Sequence, residues 1–204
     1  MKKRTDNTKN PRPTGTPFTK GGTASDKNSP LLKGVDAERQ TGVFTCRPTW
    51  QEYFLEVMAA AAKRATCDRG RFACVIARDN VLLSTGYIGA PKGSPHCDDV
   101  GHLMKTVVNE DGTQSRHCVR TTHAEANAIC QAAKNGISVD GATLYCQMTP
   151  CRACAGMIAN CGIIRVVAQH NYHGASSAEG CEILKNAGVE LVILNDVPPS
   201  YKDQ

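Results

Sequence analysis

An α/β three-layer sandwich, with one mixed five-stranded sheet between helical layers, is the fold this sequence predicts. Three observations predict it. An initial helix and a hairpin are followed by strictly alternating helices and strands. About 160 residues remain beyond a polar leader, enough for one domain with its own core. No apolar run reaches the ~18 residues of a membrane span, and no signal-peptide core is present. Residues 1–45 are rich in Lys, Thr, Pro, Gly and Asn without apolar periodicity, so they read as a disordered basic leader to a domain over 46–204. Thr49 opens the first helix, with Glu52 completing a capping box. Tyr53, Phe54, Val57, Met58 and Ala61 give that helix an apolar face, and Trp50 reads as its core anchor. Residues 71–78 and 81–86 read as strands joined by an Asp79-Asn80 turn. A long irregular stretch, 87–122, follows. Next come a helix over 123–134 and a strand over 142–147. A helix then starts near Cys151 and ends at Cys161-Gly162, before a strand over 163–168. A helix over 177–187, the turn Asn186-Ala-Gly188 and a strand over 190–194 close the domain.

Charge and cysteine content narrow the function classes. The net charge is +5, yet residues 1–45 hold nine Lys/Arg against four Asp/Glu, while 46–204 hold fifteen of each. All the excess positive charge therefore lies in the leader. A domain that grips nucleic acid carries a basic footprint of its own, so nucleic acid is not the expected partner and a small molecule is. The eleven cysteines are an odd number with no export signal, and several have metal-ligand spacing, which fits reduced thiols and metal in a cytoplasmic protein better than disulfides.

The chemistry concentrates in His123-Ala-Glu125-Ala-Asn-Ala and in Thr149-Pro150-Cys151-Arg-Ala-Cys154. A catalytic zinc takes three protein ligands and keeps one position open, and His123, Cys151 and Cys154 make three. Cys-x-x-Cys sets two sulfurs about one helical turn apart, within reach of one metal. Pro150 suits a first helical position, and a helix start favours thiolates. Glu125 lies two residues from His123, on a different face, so metal and carboxylate can flank one substrate with Glu125 shuttling protons instead of ligating. His-x-Glu with Pro-Cys-x-x-Cys is the signature of zinc-dependent nucleobase deamination. A structural zinc clip, or a Cys-x-x-Cys redox pair, is the alternative reading of the same cysteines. The spare carboxylate argues against the clip.

Longer matches sharpen this. Trp50-x-x-Tyr53-Phe54, Thr66-Cys67, Ser84-Thr-Gly-Tyr87-Ile88-Gly89-Ala-Pro91, Pro95-His96-Cys97, His117-Cys118 through Asn127, and Gly141-Ala-Thr-Leu-Tyr145 resemble the deoxycytidylate (dCMP) deaminase family, including its bacterial late-competence branch. The resemblance runs from about Trp50 to Val192. It implies a cytidine deaminase-like fold, hydrolysis of dCMP to dUMP for thymidylate supply, a homo-oligomer (hexamer or dimer) and control by dCTP and dTTP. One departure stands out. The family usually reads Gly-Tyr-Asn-Gly where this chain has Ile88, and that Asn bonds the substrate's sugar, which isoleucine cannot do. A deaminase of another small cytosine or purine substrate therefore stays open, as does a non-catalytic, competence-associated role.

Some family members carry a second, structural zinc on equivalents of Cys67 and Cys97. The set expected here is Cys67, Cys97, His102 and Cys118, with His117 as substitute for a ligand. Cys46, Cys74, Cys130, Cys146, Cys161 and Cys181 read as core or incidental. Substrate contacts are expected from Tyr87, Ile88, Gly89, Ala124, Thr149, Pro150 and Tyr172, a 5′-phosphate contact from Lys92 or Arg120, and an entrance lined by His170 and His173.

Overall fold

The computed structural model describes residues 47–108, 112, 114–172 and 174–196. The leader 1–45, Cys46 and His173 lie outside the described residues. Helix α1 (Trp50–Ala62) starts from the capping box: Thr49 Oγ1 accepts the Glu52 N–H at 3.2 Å and Glu52 Oε2 accepts the Thr49 N–H at 2.7 Å. Strands β1 (Ala73–Arg78) and β2 (Val81–Tyr87) form an antiparallel hairpin. Its turn residues Asp79 and Asn80 have φ of 52° and 63°, the double left-handed turn that matches strand twist. A short helix α2 (Cys97–Val100) and a separate hairpin, β3 (Met104–Val108) with β4 (Gln114–Cys118), precede α3 (Ala124–Lys134). The chain then alternates through β5 (Thr143–Met148), α4 (Arg152–Asn160), β6 (Arg165–His170), α5 (Ala175–Asn186) and β7 (Glu190–Asn195).

The main sheet runs β2-β1-β5-β6-β7. β1 pairs antiparallel with β2 and β5, while β5, β6 and β7 are mutually parallel, so the sheet is mixed as expected. Side-chain alternation splits the core into two layers. Val75, Tyr145 and Val167 face α1, meeting Phe54 and Met58. Cys74, Ile76, Leu144, Cys146 and Val166 face the other way, onto Ala128, Ala155, Ile158 and Leu184 of α3, α4 and α5. These layers give the three-layer cytidine deaminase-like sandwich. Among the described residues no helix is long and apolar enough to cross a membrane.

Two glycines set how closely the helices approach. A Cβ at Gly86 of β2 would overlap the backbone of Ala124 and Ala128, and a Cβ at Gly180 of α5 would overlap the Pro150 carbonyl oxygen. Both contacts lie under the helix starts that carry the site.

Several expectations are corrected. The stretch 87–122 is not irregular throughout, because it holds α2 and the β3–β4 hairpin. Trp50 is 47% exposed and stacks near Phe54 at the helix edge; Phe54, one turn further in, fills the anchor position against Tyr145 at a ring separation of 5.2 Å. Tyr53 is also exposed, since the buried stripe of α1 runs through Phe54, Met58 and Ala62. Pro150 precedes the N-cap Cys151 and so lies outside α4.

Candidate active site

His123 and Cys151 are the N-cap residues of α3 and α4, both in extended backbone, and neither side chain caps its own helix. Each is thereby aimed across the gap between the two helix starts. His123 Nδ1 lies 3.5 Å from Cys151 Sγ and 3.6 Å from Cys154 Sγ. Zinc–sulfur and zinc–nitrogen bonds of about 2.3 and 2.05 Å in a tetrahedron require an N···S edge of about 3.6 Å. The donor separations fit that edge.

Glu125 sits in the first turn of α3, buried, with Oε2 3.7 Å from Cys154 Sγ. Burial pushes its carboxyl above the usual range, against the pull of His123. The hydrogen bond with Cys151 raises His123 to about 8. Cys151 is pulled down to about 3, first by its hydrogen bond with Cys154 and, against burial, by that with His123, while Cys154 is pushed up. The pair thus offers a ready thiolate beside an imidazole, the chemistry of a metal site.

His123, Cys151 and Glu125 line a cavity of about 450 Å³, with Cys154 buried behind them. Its floor includes Gln147 and Met148 at the carboxyl end of β5, where ligands of open α/β sheets bind. Gln147 Oε1 accepts the Ala73 N–H at 2.6 Å, which fixes the amide. Thr149 holds Tyr172 on the rim: its Oγ1 accepts the Tyr172 N–H at 2.9 Å and meets the buried Ser177 Oγ at 2.5 Å.

A second cluster stands beside the cavity. Cys67 Sγ is 3.7 Å from His102 Nδ1 and Cys97 Sγ is 3.6 Å from Cys118 Sγ, and all four donor atoms lie within 4.8 Å of one another. The His102 Nε2 faces Asp68 Oδ1 at 3.1 Å, a carboxylate behind an imidazole that orients the other nitrogen toward a metal. Burial and the Cys118 and Cys67 hydrogen bonds push Cys97 up to about 12. Burial also raises Cys118, but the Arg120 and Leu103 backbone with Cys97 and His102 outweighs it and holds that thiol at about 7. Four donors close the sphere and leave no position for substrate.

The family model for the cytidine and deoxycytidylate deaminase zinc-binding region matches residues 48–170. The chain belongs to this family. Among curated relatives, the deoxycytidylate deaminase of Schizosaccharomyces pombe is 35% identical over 145 residues, covering 71% of the chain but 44% of that protein. The chain thus spans under half of that relative's own length. ComE operon protein 2 of Bacillus subtilis is 36% identical over 160 residues, 78% of the chain and 79% of that protein. The solved dCMP deaminase of cyanophage S-TIM5 in complex with dCMP and dUMP superposes with a TM-score of 0.57 at 26% identity, covering 72% of the chain and 98% of its own. Zinc is the metal of the family's matched region, and both clusters suit it.

Of the substrate contacts expected from sequence, Ile88, Ala124, Thr149 and Tyr172 line the cavity. Tyr87, Gly89 and Pro150 do not. Tyr87 points to the sheet face opposite Gly86, offering only its carbonyl to Asn127 Nδ2 at 2.8 Å. Gly89 is bridged to Thr122, and Pro150 is buried against α5. Lys92, Arg120 and His170 are also off the wall; Arg120 Nε donates instead to the Gly101 carbonyl at 3.1 Å. His117 lines the cavity rather than joining the four-donor cluster, with Nε2 2.8 Å from Ser115 Oγ. Cys74 and Cys146 are core, Cys161 and Cys181 half-buried, Cys130 exposed. Sequence reasoning missed Asp68, Arg69, Arg116 and Gln147. Two of these had a signal: Asp68 follows a ligand cysteine, and Gln147 ends a strand.

Proposed function

We propose that this chain hydrolyses dCMP to dUMP and ammonia, with His123, Cys151 and Cys154 holding the catalytic zinc and Glu125 moving the protons. The observation that carries the reading is an imidazole nitrogen at tetrahedral-edge distance from two thiols, with a buried carboxylate beside them, where His123, Cys151 and Glu125 line one cavity. The names of the fission-yeast relative and the cyanophage structure support dCMP as the substrate. Zinc, when bound, lowers the pKa of a coordinated water to about 7.

The chain's own groups do the rest. Glu125 accepts the attacking water's proton and passes it to the ring nitrogen next to the amine-bearing carbon. The water oxygen adds to that carbon. Glu125 takes the remaining hydroxyl proton and delivers it to the amine, the C–N bond breaks, and ammonia leaves. Ile88 and Met148 add an apolar lining beside these groups. Cys67, Cys97, His102 and Cys118 hold a second, structural zinc that ties the loop after α1 to the β3–β4 hairpin.

Residues 46–204 form the deaminase domain of a cytoplasmic homo-oligomer, with dCTP and dTTP as effectors. The family resemblance supports the oligomer. Native mass with and without triphosphate tests it.

The decisive experiment is ammonia release from zinc-replete protein offered dCMP, CMP, deoxycytidine, dCTP, cytosine and guanine in parallel. Dominant turnover of dCMP is expected. Release from guanine alone, or from none of them, overturns the reading.

A further inference from the structure

The four-donor cluster and the cavity share a wall. Cys67 and Cys118 belong to the cluster and also line the cavity. Arg69 and Gly70, just after Cys67, line it as well, as do Arg116 and His117, just before Cys118. The loop after α1 thus supplies one part of this wall and strand β4 another, and the cluster joins the two.

The hairpin that carries β4 has little else to hold it. β3 and β4 form a two-stranded sheet separate from the main one. Lys105, Thr106, Val107 and Val108 are all exposed, so β3 buries little apolar surface. A two-stranded hairpin alone is at best marginally stable in water. Two of its links to the body lie at the cluster. Cys118 Sγ is 3.6 Å from Cys97 Sγ, and Arg69 Nη2 donates to the Arg116 carbonyl oxygen at 3.2 Å. The loop is tied in turn to Ile88 on the cavity wall, because the Thr66 N–H donates to the Ile88 carbonyl oxygen at 3.1 Å. Thr66 also accepts the Asp98 N–H of α2 at 3.3 Å on its carbonyl oxygen, and its Oγ1 lies 2.9 Å from His96 Nδ1. A ligand filling the cavity and a metal held by the cluster therefore favour the same docked hairpin.

Two ligands that favour one arrangement bind cooperatively, and by the same factor in both directions. We propose that the β3–β4 hairpin couples the two places: metal on Cys67, Cys97, His102 and Cys118 and a pyrimidine nucleotide in the cavity raise each other's affinity. The cluster then sets how well the chain holds its substrate as well as how stable the chain is. This rests on the deaminase reading for the identity of the nucleotide.

The test uses Asp68→Asn, which keeps all four donors and weakens the second metal; Asp68 is exposed, so the variant keeps the fold. Free zinc set by a metal buffer then fills the first cluster alone or both. Calorimetry measures the dUMP dissociation constant at the two zinc levels, and the wild type is assayed for dCMP turnover. dUMP should bind at least about fivefold tighter at the higher level, and saturating dUMP should tighten zinc at the second cluster by the same factor. Cys97→Ser, which lacks one of the four donors, should show no such response. Unchanged dUMP affinity between the levels, with dCMP turned over by the wild type, overturns the coupling and leaves the deaminase reading standing. Coupling without turnover overturns the deaminase reading and leaves the coupling standing. An equal response in Cys97→Ser places the zinc effect outside the cluster and overturns the coupling. No dUMP binding at either level overturns both.

Discussion

The two Cys/His clusters use the same kinds of donor at nearly the same separations, yet they differ by one ligand and by the company they keep. The first has three donors from two helix starts, with Glu125 buried beside them. The second has four donors from a loop, α2 and a hairpin, with Asp68 behind His102. A missing ligand plus a spare carboxylate makes a place for chemistry; a complete sphere plus an orienting carboxylate makes a strut. The same carboxylate chemistry thus has opposite uses, decided by whether it faces the cavity or the back of an imidazole.

Four changes break or sharpen this contrast. The largest effect is expected from Glu125→Gln, which should lower kcat by about 10²–10⁴-fold or more, with zinc content and melting temperature retained. Zinc analysis beside ammonia release checks it, and turnover near wild type would remove Glu125 from the mechanism. Cys97→Ser should lower zinc from two to one per chain and cost on the order of 3 kcal/mol of stability, read by denaturant unfolding. If the chain instead loses all its zinc, the clusters are not separate. Asp68→Asn should weaken only the second metal, by about 10–100-fold, in a chelator competition, while the first keeps its affinity. Thr49→Ala should lower the melting temperature by a few degrees and touch neither metal, because the capping box lies at the far end of α1 from Cys67. A change in zinc content there would show that the clusters sense general destabilisation.

Legibility from sequence followed how local the determining physics is. The capping box at Thr49, the Asp79-Asn80 turn and the helix over 124–134 depend on neighbours along the chain, and the residues themselves declare them. The gathering of His123, Cys151 and Cys154 was legible because their spacing lies within two short helix starts. The β3–β4 hairpin was not. Val107 and Val108 are exposed, so no alternating apolar pattern marks the strands, although Asp111-Gly112 is itself a turn signal. Arg69 and Arg116 were missed for a related reason. They are 47 residues apart, and only the pairing of Met104 with Cys118 and the Arg69–Arg116 contact bring them to one wall. Trp50 was misread because hydrophobicity does not tell which turn of a helix overhangs the sheet.

The caps of α3 and α4 carry one more consequence. At most helix starts a Ser, Thr or Asp side chain satisfies the first free N–H groups, as Thr49 does for α1. His123 and Cys151 occupy that position with no such bond. Their side chains face each other instead, so a metal held between them would also fasten two helix ends that their own N-cap side chains leave unbonded, with only Ser176 Oγ accepting the Arg152 N–H of α4 at 3.3 Å among the described residues. Stripping zinc should therefore register first as fraying. Amide exchange should accelerate over residues 124–127 and 152–155 before the central strands β1 and β5 respond, so exchange at those two short segments would report zinc loading in a protein that still looks fully folded.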